Sequence, residues 1–166
     1  MPTQAHSETA RGRRAKKSNG GDAIKLLKAD HKEVTELFEA YEKLGDRAQT
    51  KKKQIAEKIC KALTIHAQIE EEIFYPTVRA EIEEEELLDE AEVEHGSIKD
   101  LVTEIENGLS GEIDGKFDAK VKVLSEWVKH HVKEEQNEMF PKVRESDIDL
   151  DALGAQLEER KAELMG

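Results

Sequence analysis

The chain has 166 residues, enough for one domain with a substantial hydrophobic core. Charged residues make up 39% of it and aromatic residues only 4%, which favours amphipathic helices over β-strands and predicts an all-α fold. The formal net charge of −12 argues against nucleic acid or an anionic membrane as a main partner. We find no secretory signal, no apolar run near the ~20 residues of a membrane span and a single cysteine, Cys60, so we expect a cytoplasmic protein.

The first segment of the chain differs in charge from the rest. Residues 1–21 are small, polar and basic, and their five arginines and lysines face only Glu8, which gives a net charge of +4 and leaves −16 for the remainder. We expect residues 1–21 to be a disordered basic tail and residues 22–166 to form one folded domain.

Apolar residues recur at helical spacing through the rest of the chain. The spacing predicts four long helices and a short fifth one, over about 23–44, 46–83, 85–108, 115–145 and 149–164. Asp22 is placed to cap the first helix, and Asp46 with Gln49 to cap the second. Short connections between long helices predict an antiparallel up-down-up-down four-helix bundle, with the short C-terminal fifth helix packed across it as a lid.

The sequence also repeats itself at a separation of 65 residues. His66-Ala-Gln-Ile-Glu70, followed by Tyr75-Pro76, matches His131-Val-Lys-Glu-Glu135, followed by Phe140-Pro141. Each pair has a lone histidine on the preceding helix, His31 or His95, which lies 35 or 36 residues upstream of the next one. Each proline falls inside a helical pattern, where we expect it to kink the helix or end it locally.

Six side chains of this repeat share the inner helix faces: His31, His66, Glu70, His95, His131 and Glu135. A spacing of four places a histidine and a glutamate one above the other on one face of a helix. Two unpaired carboxylates in a bundle core are costly to bury, and no lysine or arginine shares their stripe on the second or fourth helix. A pair of metal ions bound by the imidazoles and bridged by the carboxylates satisfies all six groups, and such donors suit iron, manganese or zinc.

Simpler interpretations compete with a metal centre. A lone histidine on an apolar face is more often a hydrogen-bonded core residue, and His-x-x-x-Glu is common by chance. The metal interpretation depends on the same pair occurring twice, each time with a matching upstream histidine.

Several neighbours of the six have weaker signals. We expect His130 to face solvent and Cys60 to be an inert buried thiol. Glu71 is expected on the solvated flank, with a role as a substitute ligand left open. For Tyr75 we favour packing in the core, and an approach to the metal pair or a hydrogen bond to its ligands stays open. For Lys99 two readings stay open: it reaches solvent along its aliphatic stem, or it hydrogen-bonds an oxygen ligand of the second metal ion.

The repeated pattern resembles the haemerythrin family, in particular the bacterial haemerythrin-like HHE cation-binding domains. The resemblance covers roughly residues 22–145 and includes the Glu-Glu and the Tyr-Pro or Phe-Pro sequences that follow the histidines. It implies a non-haem, carboxylate-bridged di-iron centre that interacts with O2, peroxide or nitric oxide. Carried over by position, His31 and His66 bind one iron, His95 and His131 bind the other, and Glu70 and Glu135 bridge the two.

The chain departs from the oxygen carriers of that family at two positions. The carriers have a further histidine four residues after the third-helix one, where this chain has Lys99, and they often place an aspartate five residues after the last histidine, where this chain has a glutamate at four. We therefore expect turnover of a small oxidant instead of reversible oxygen carriage. The candidate activities are catalase- or peroxidase-like chemistry and nitric oxide detoxification.

Two other functions stay open at this point. One is an oxygen- or iron-responsive sensing module, and the other is iron storage without turnover. In each case we expect a small oxidant or iron as the partner, and a monomer or weak oligomer.

Overall fold

The computed structural model describes residues 21–166, so nearly all of the predicted basic tail lies outside the described residues. Within the described part the chain forms helices and no β-strand, which confirms the all-α prediction. The first long segment is α1 (Ala23–Glu42), and the second runs through α2 (Gln49–Ile69), a π-helical turn π1 (Glu70–Phe74) and α3 (Tyr75–Glu81). The later segments are α4 (Glu85–Gly108), then α5 (Gly115–Glu134) with π2 (Glu135–Met139) and α6 (Phe140–Glu145), and finally α7 (Leu150–Met165).

The four long segments form a closed bundle. Helix α1 packs against α2 and α5, and α4 packs against α5 and α2, so each helix has two neighbours. Consecutive helices that pack together across short connections run antiparallel, as the sequence predicts. Helix α7 covers the seam between α1 and α2 and reaches π1. None of the described helices is both long and apolar enough to cross a membrane.

Helix capping follows the prediction at the first helix and not at the second. Asp22 Oδ1 accepts a hydrogen bond of 2.8 Å from the Lys25 N–H at the start of α1. Helix α2 has no side-chain cap, because its N-cap residue is Ala48, which lacks a polar side chain. The side chain of Gln49 bonds to backbone groups outside the helix. Its amide accepts from the N–H of Ile113 at 2.8 Å and donates to the Ile113 carbonyl at 3.0 Å, which ties the start of α2 to the loop before α5.

Each proline of the repeat follows a widened helical turn. The Tyr75 N–H donates to the carbonyl of Glu70, five residues back, and the Phe140 N–H donates in the same way to Glu135. A proline lacks the N–H of a regular turn, and its ring clashes with the carbonyl four residues before it. The π-helical turn absorbs this clash with one extra residue, and such turns are frequent at functional sites. Both glutamates of the repeat begin such a turn.

The bundle interior consists of two apolar clusters with a polar layer between them. The loop-side core lies toward the α1–α2 and α4–α5 connections and includes Val34, Phe38, Ile59, Leu63, Ile98, Ile105, Leu124 and Val128. The α7-side core includes Ile24, Leu27, Phe74, Tyr75, Leu88, Phe140, Leu153 and Leu157. On α1, His31 stands between Leu27 of one core and Val34 of the other, and the remaining members of the polar layer occupy the same level.

Candidate metal centre

The polar layer consists of the six side chains singled out by the repeat. Helices α1, α2, α4 and α5 each supply one histidine, and π1 and π2 each supply the glutamate that opens the turn. None of the six is more than 8% exposed: His31, His66, Glu70, His95, His131 and Glu135. The structure therefore brings all six together in the interior.

Each glutamate contacts the histidine one turn before it and one histidine of the other half. Glu70 Oε1 lies 3.1 Å from His66 Nε2 and 3.3 Å from His95 Nε2. The equivalent distances of the second half are 3.3 Å between Glu135 Oε2 and His131 Nε2 and 3.1 Å between Glu135 Oε1 and His31 Nε2. Both carboxylates thus lie between the two halves of the repeat.

Every histidine of the layer also bonds outward through its Nδ1. The partners are Gln136 Oε1 for His31 at 2.8 Å, Asp30 Oδ2 for His66 at 2.8 Å, Glu71 Oε2 for His95 at 3.0 Å, and Glu94 Oε1 for His131 at 2.8 Å. These oxygens only accept, so Nδ1 carries the proton and the ring is held with Nε2 facing inward. Metal-binding histidines in proteins are oriented in this way.

The sequence reasoning missed these four outer acceptors and assigned Glu71 to the solvated flank. The sequence does contain a pattern that could have identified them, because each acceptor is adjacent in the sequence to one of the six side chains. Asp30 and Glu94 precede the lone histidine of their half, and Glu71 and Gln136 follow the glutamate. The internal repeat therefore extends to the groups that orient the histidines.

Five buried atoms of the layer lack a hydrogen-bond partner among the described residues. They are His31 Nε2, His66 Nε2, both carboxylate oxygens of Glu70, and Glu135 Oε1. Several lie about 3 Å from each other, but without hydrogen-bond geometry. A buried polar atom left unpaired costs about 1–3 kcal/mol, so five at one point need a common partner.

The donor atoms fall into two overlapping groups that fit metal ions. One atom each from His31, His66, Glu70 and Glu135 lie within 4.8 Å of one another, and atoms of Glu70, His95 and His131 form a second such group. Imidazole nitrogen and carboxylate oxygen together are donors that iron, manganese and zinc accept. The arrangement is that of a metal-binding site.

The carboxylates also control the charge of the histidines. Burial opposes the charged form of His131, but its hydrogen bonds to Glu135 and Glu94 outweigh burial and raise its pKa to about 10. Burial likewise opposes charge on His66, yet Glu70 and Asp30 raise its pKa well above the usual value. The same layer attracts any cation, and metal ions compete with protons for these nitrogens.

Tyr75 belongs to this layer as well as to the apolar core. Its hydroxyl donates a hydrogen bond of 2.6 Å to Glu135 Oε2 and lies 3.2 Å from His95 Nε2 and 3.4 Å from His131 Nε2. Burial and the nearby carboxylates raise the pKa of Tyr75 well above its usual value, so the hydroxyl keeps its proton. The sequence favoured a packing role, and the structure adds a direct contact with three of the six side chains.

Lys99 and His130 lie outside the layer. Lys99 Nζ donates to Glu71 Oε1 at 2.5 Å. The hydrogen bond from His95, together with this one from Lys99, lowers the pKa of Glu71 to about 2 against the opposing effect of burial. Lys99 is exposed, as the first of its two predicted roles has it, and its ammonium in addition supports the outer acceptor Glu71. His130 is exposed, as expected, and its Nε2 lies 3.1 Å from Glu134 Oε1.

A small cavity adjoins the four histidines on the side of the loop-side core. Its volume is about 30 Å³, and aliphatic side chains close it, among them Val34, Leu63, Ile98, Val128 and Val132. A space of this size holds a molecule of about the dimensions of water. The four histidines therefore adjoin a space about the size of a very small molecule.

The comparisons with known proteins agree with this geometry. The haemerythrin HHE cation-binding domain family matches residues 22–143. The chain is 31% identical over 122 residues to a DNA nickase of Nostoc sp., a match that covers 72% of this chain and 32% of that protein. The chain thus spans about a third of the length of that curated relative. A solved haemerythrin HHE cation-binding domain-containing protein of Mycobacterium kansasii shares the fold, with a TM-score of 0.72, 20% identity and 86% of both chains covered.

Proposed function

Because the chain belongs to the haemerythrin HHE cation-binding family, we propose that its polar layer binds two iron ions and turns over a small oxidant: peroxide, O2 or nitric oxide. The observation that carries this proposal is that five buried donor atoms of the layer lack a hydrogen-bond partner within residues 21–166. The proposed ligands are His31 and His66 for one iron, His95 and His131 for the other, and Glu70 and Glu135 as bridges.

The outer hydrogen bonds support two metal positions, because they orient the donor atoms of the histidines in advance. Each imidazole is fixed at Nδ1 before any metal arrives, so Nε2 needs no reorientation to bind. Each glutamate already lies between histidines of the two halves, which is the placement that a bridging carboxylate requires. Iron would supply electrons and open coordination positions for the oxidant.

The rest of the layer limits what reaches the site and where protons are held. The cavity of about 30 Å³ beside the four histidines is small and lined largely by aliphatic side chains, which suits an oxidant with two non-hydrogen atoms, such as O2, nitric oxide or peroxide. Tyr75 holds a proton at its hydroxyl, 2.6 Å from Glu135 Oε2. Disproportionation of two peroxide molecules to O2 and two waters consumes no protons or electrons overall, because one peroxide supplies both to the other. Protons must still pass between the two molecules, and a phenol beside the Glu135 carboxylate is placed to donate one and take it back.

The other candidate functions have less support. Storage of iron needs room for many ions, whereas the layer offers donors for a pair. The DNA-cleaving activity named for the Nostoc relative is not carried over, because this chain spans only 32% of that protein and its net charge of −12 disfavours DNA binding. Sensing would use the same layer and requires a partner whose binding changes with the metal.

Metal analysis with a matched pair of variants tests the proposal. His131→Gln removes a proposed ligand, and His130→Gln removes its exposed neighbour in the sequence. After anaerobic loading with ferrous iron, we expect two ions per chain in the wild type and in His130→Gln and fewer in His131→Gln. Addition of peroxide to the first two should produce near-ultraviolet oxo-bridge absorption and oxygen evolution. A wild-type protein that retains no iron, or a His131→Gln protein that matches it in iron content and turnover, contradicts the proposal.

A further inference from the structure

Helix α7 lies beyond the part of the chain that matches the family. The match ends at residue 143, and α7 covers Leu150–Met165. This helix nevertheless places a cation against the polar layer. Lys161 Nζ donates to Asp30 Oδ1 at 2.6 Å, and Asp30 is the outer acceptor of His66.

The contacts form a continuous chain from the surface to the layer. Asp30 is only 6% exposed, and it uses one oxygen for Lys161 and the other for His66 Nδ1, at 2.8 Å. The opposite nitrogen of that ring, Nε2, lies 3.1 Å from Glu70 Oε1. The orientation of His66 therefore depends on a carboxylate whose second oxygen is held by α7.

The position of Lys161 is itself fixed by the packing of α7. Leu153 and Leu157 are buried in the α7-side core, and Gly154 lies directly against the backbone at the start of α1. Arg160 Nε donates to Glu72 Oε2 of π1 at 2.8 Å. Helix α7 is thus attached to both α1 and π1 in the turns that lead up to Lys161.

In the second half of the repeat, the acceptor at the position equivalent to Asp30 has no lysine partner among the described residues. This acceptor is Glu94, which accepts from His131 Nδ1. At the second proposed metal position the lysine-supported acceptor is Glu71, which bonds Lys99 of α4 and His95. The two positions therefore differ in that only the first depends on a lysine of α7.

We propose that Lys161 is a positioning residue for the metal ion held by His31 and His66, and that it acts by holding Asp30 against His66. This inference rests on the proposed function.

The expected effect follows from the geometry. Without Lys161, one oxygen of a buried carboxylate loses its partner, and Asp30 gains by turning toward water and away from His66. Loss of such an outer partner lowers metal affinity roughly 10- to 100-fold. The loss should fall on one of the two metal ions, because His95 and His131 bond to other acceptors.

Cobalt(II) binding tests this, because its visible bands report on the ligand geometry apart from any turnover. We would titrate the full-length protein with cobalt in competition with a chelator, for wild type, Lys161→Met, Lys161→Arg and Lys58→Met. Lys58 lines the same surface pocket as Lys161 but does not contact Asp30, so it is the matched control. We expect Lys161→Met to lower the affinity for one of two cobalt ions at least tenfold and to alter the visible bands of that ion. Lys161→Arg should restore wild-type binding, and Lys58→Met should leave it unchanged.

A second variant separates positioning from a purely structural role. In an Asp30→Asn background, Lys161→Met should cause no further loss of cobalt affinity, because its target is already changed. An equal loss in both backgrounds would mean that Lys161 only anchors α7, and would overturn the inference. Asp30→Asn alone must also lower the affinity for one cobalt ion. This result keeps the test decisive if Lys161→Met folds poorly. A wild-type protein that binds no cobalt and no iron contradicts the proposed function, whereas tight binding that Lys161→Met does not change overturns only the inference.

Discussion

The Tyr75 hydroxyl donates a hydrogen bond of 2.6 Å to Glu135 Oε2 and so joins the first half of the repeated sequence to the second. Phe140 occupies the equivalent position in the second half and has no hydroxyl. Each half therefore supplies two histidines and one glutamate to the layer, but only the first half supplies a phenol. We therefore expect the Tyr75 hydroxyl to take part in the proposed turnover.

The first prediction concerns the loss of that hydroxyl in Tyr75→Phe. We expect the variant to keep both iron ions, since Glu135 loses a competing donor and no proposed ligand is removed. Its rate of peroxide turnover should fall roughly 10²-fold, the scale of a lost acid–base group. Stopped-flow measurement of oxygen evolution, with iron content determined on the same samples, checks both parts.

Tyr41→Phe is the control for this variant. Tyr41 is the other tyrosine, and it donates to Asp118 at 2.7 Å in the loop-side part of the bundle. Its removal should cost about 1–2 kcal/mol of stability and leave turnover per iron unchanged. Equal turnover in Tyr75→Phe and the wild type would remove the phenol from the mechanism.

The second prediction concerns metal removal and Glu70. A ligand that binds only the folded state stabilises it by about 2.7 kcal/mol when present at a hundred times its Kd. Removal of metal from the wild type with a chelator should therefore lower the free energy of unfolding by at least this amount. In Glu70→Gln the chelator should have a much smaller effect, because both donor groups contain this carboxylate.

Urea denaturation with and without chelator measures this difference. Glu57→Gln is the matched control, because Glu57 is an exposed glutamate on the same helix, α2. It should respond to the chelator as the wild type does. The metal interpretation of Glu70 is wrong if all three proteins lose the same stability.

The third prediction concerns Cys60 and high pH. Burial, followed by the charges of Glu106 and Glu57, raises the pKa of this thiol from 9.0 to about 12 in the folded chain. Between pH 9 and 12 the unfolded thiol ionises while the folded one does not, so the unfolded state binds fewer protons and stability falls as pH rises. The free-energy advantage of wild type over Cys60→Ala should shrink by about 1 kcal/mol for each pH unit in this window.

Unfolding of both proteins at pH 8 and pH 10 gives this difference directly. The folded wild type should also react slowly with iodoacetamide at pH 8, and the denatured chain should react at the rate of a free thiol. Rapid alkylation of the folded protein would show that the thiol is not held as the structure describes.

The fourth prediction uses two glycines whose replacement by alanine should have opposite effects. A Cβ at Gly154 would lie 2.8 Å from the Ala23 nitrogen and 2.9 Å from the Gly21 oxygen, so Gly154→Ala should push α7 off α1 and cost about 1–3 kcal/mol. A Cβ at Gly96 meets nothing within 4 Å, so Gly96→Ala should stabilise α4 by about 0.5–1 kcal/mol. Thermal unfolding of the two variants gives the sign of each stability change. Changes of equal sign would contradict the described packing of α7 against α1.

Much of this architecture could be predicted from local sequence pattern. The helix over 85–108 was predicted with the bounds that α4 has, because apolar periodicity and flanking glycines are visible within a single segment. The six inward side chains were found for a similar reason, since a repeat fixes their spacing whatever the relative placement of the helices. Local spacing decides which face of a helix a residue occupies.

The contacts between helices were harder to predict. Asp30 reaches His66 across the α1–α2 interface, and Lys161 reaches Asp30 from a helix more than a hundred residues later in the chain. Such pairings depend on rotamers and on the rotation of one helix against another, which periodicity does not define. The widened turns before Pro76 and Pro141 also escaped prediction, since a proline predicts a disturbance of the helix but not which kind.

The placement of the polar layer between two apolar cores has a consequence for how the chain opens. Each core is continuous within itself, and the layer of histidines and glutamates lies between the two in the bundle interior. Amide hydrogen exchange should then resolve two cooperative units, with the end that carries α7 exchanging before the other. Metal would join the units into one, and exchange at the two ends would then occur with a single opening free energy.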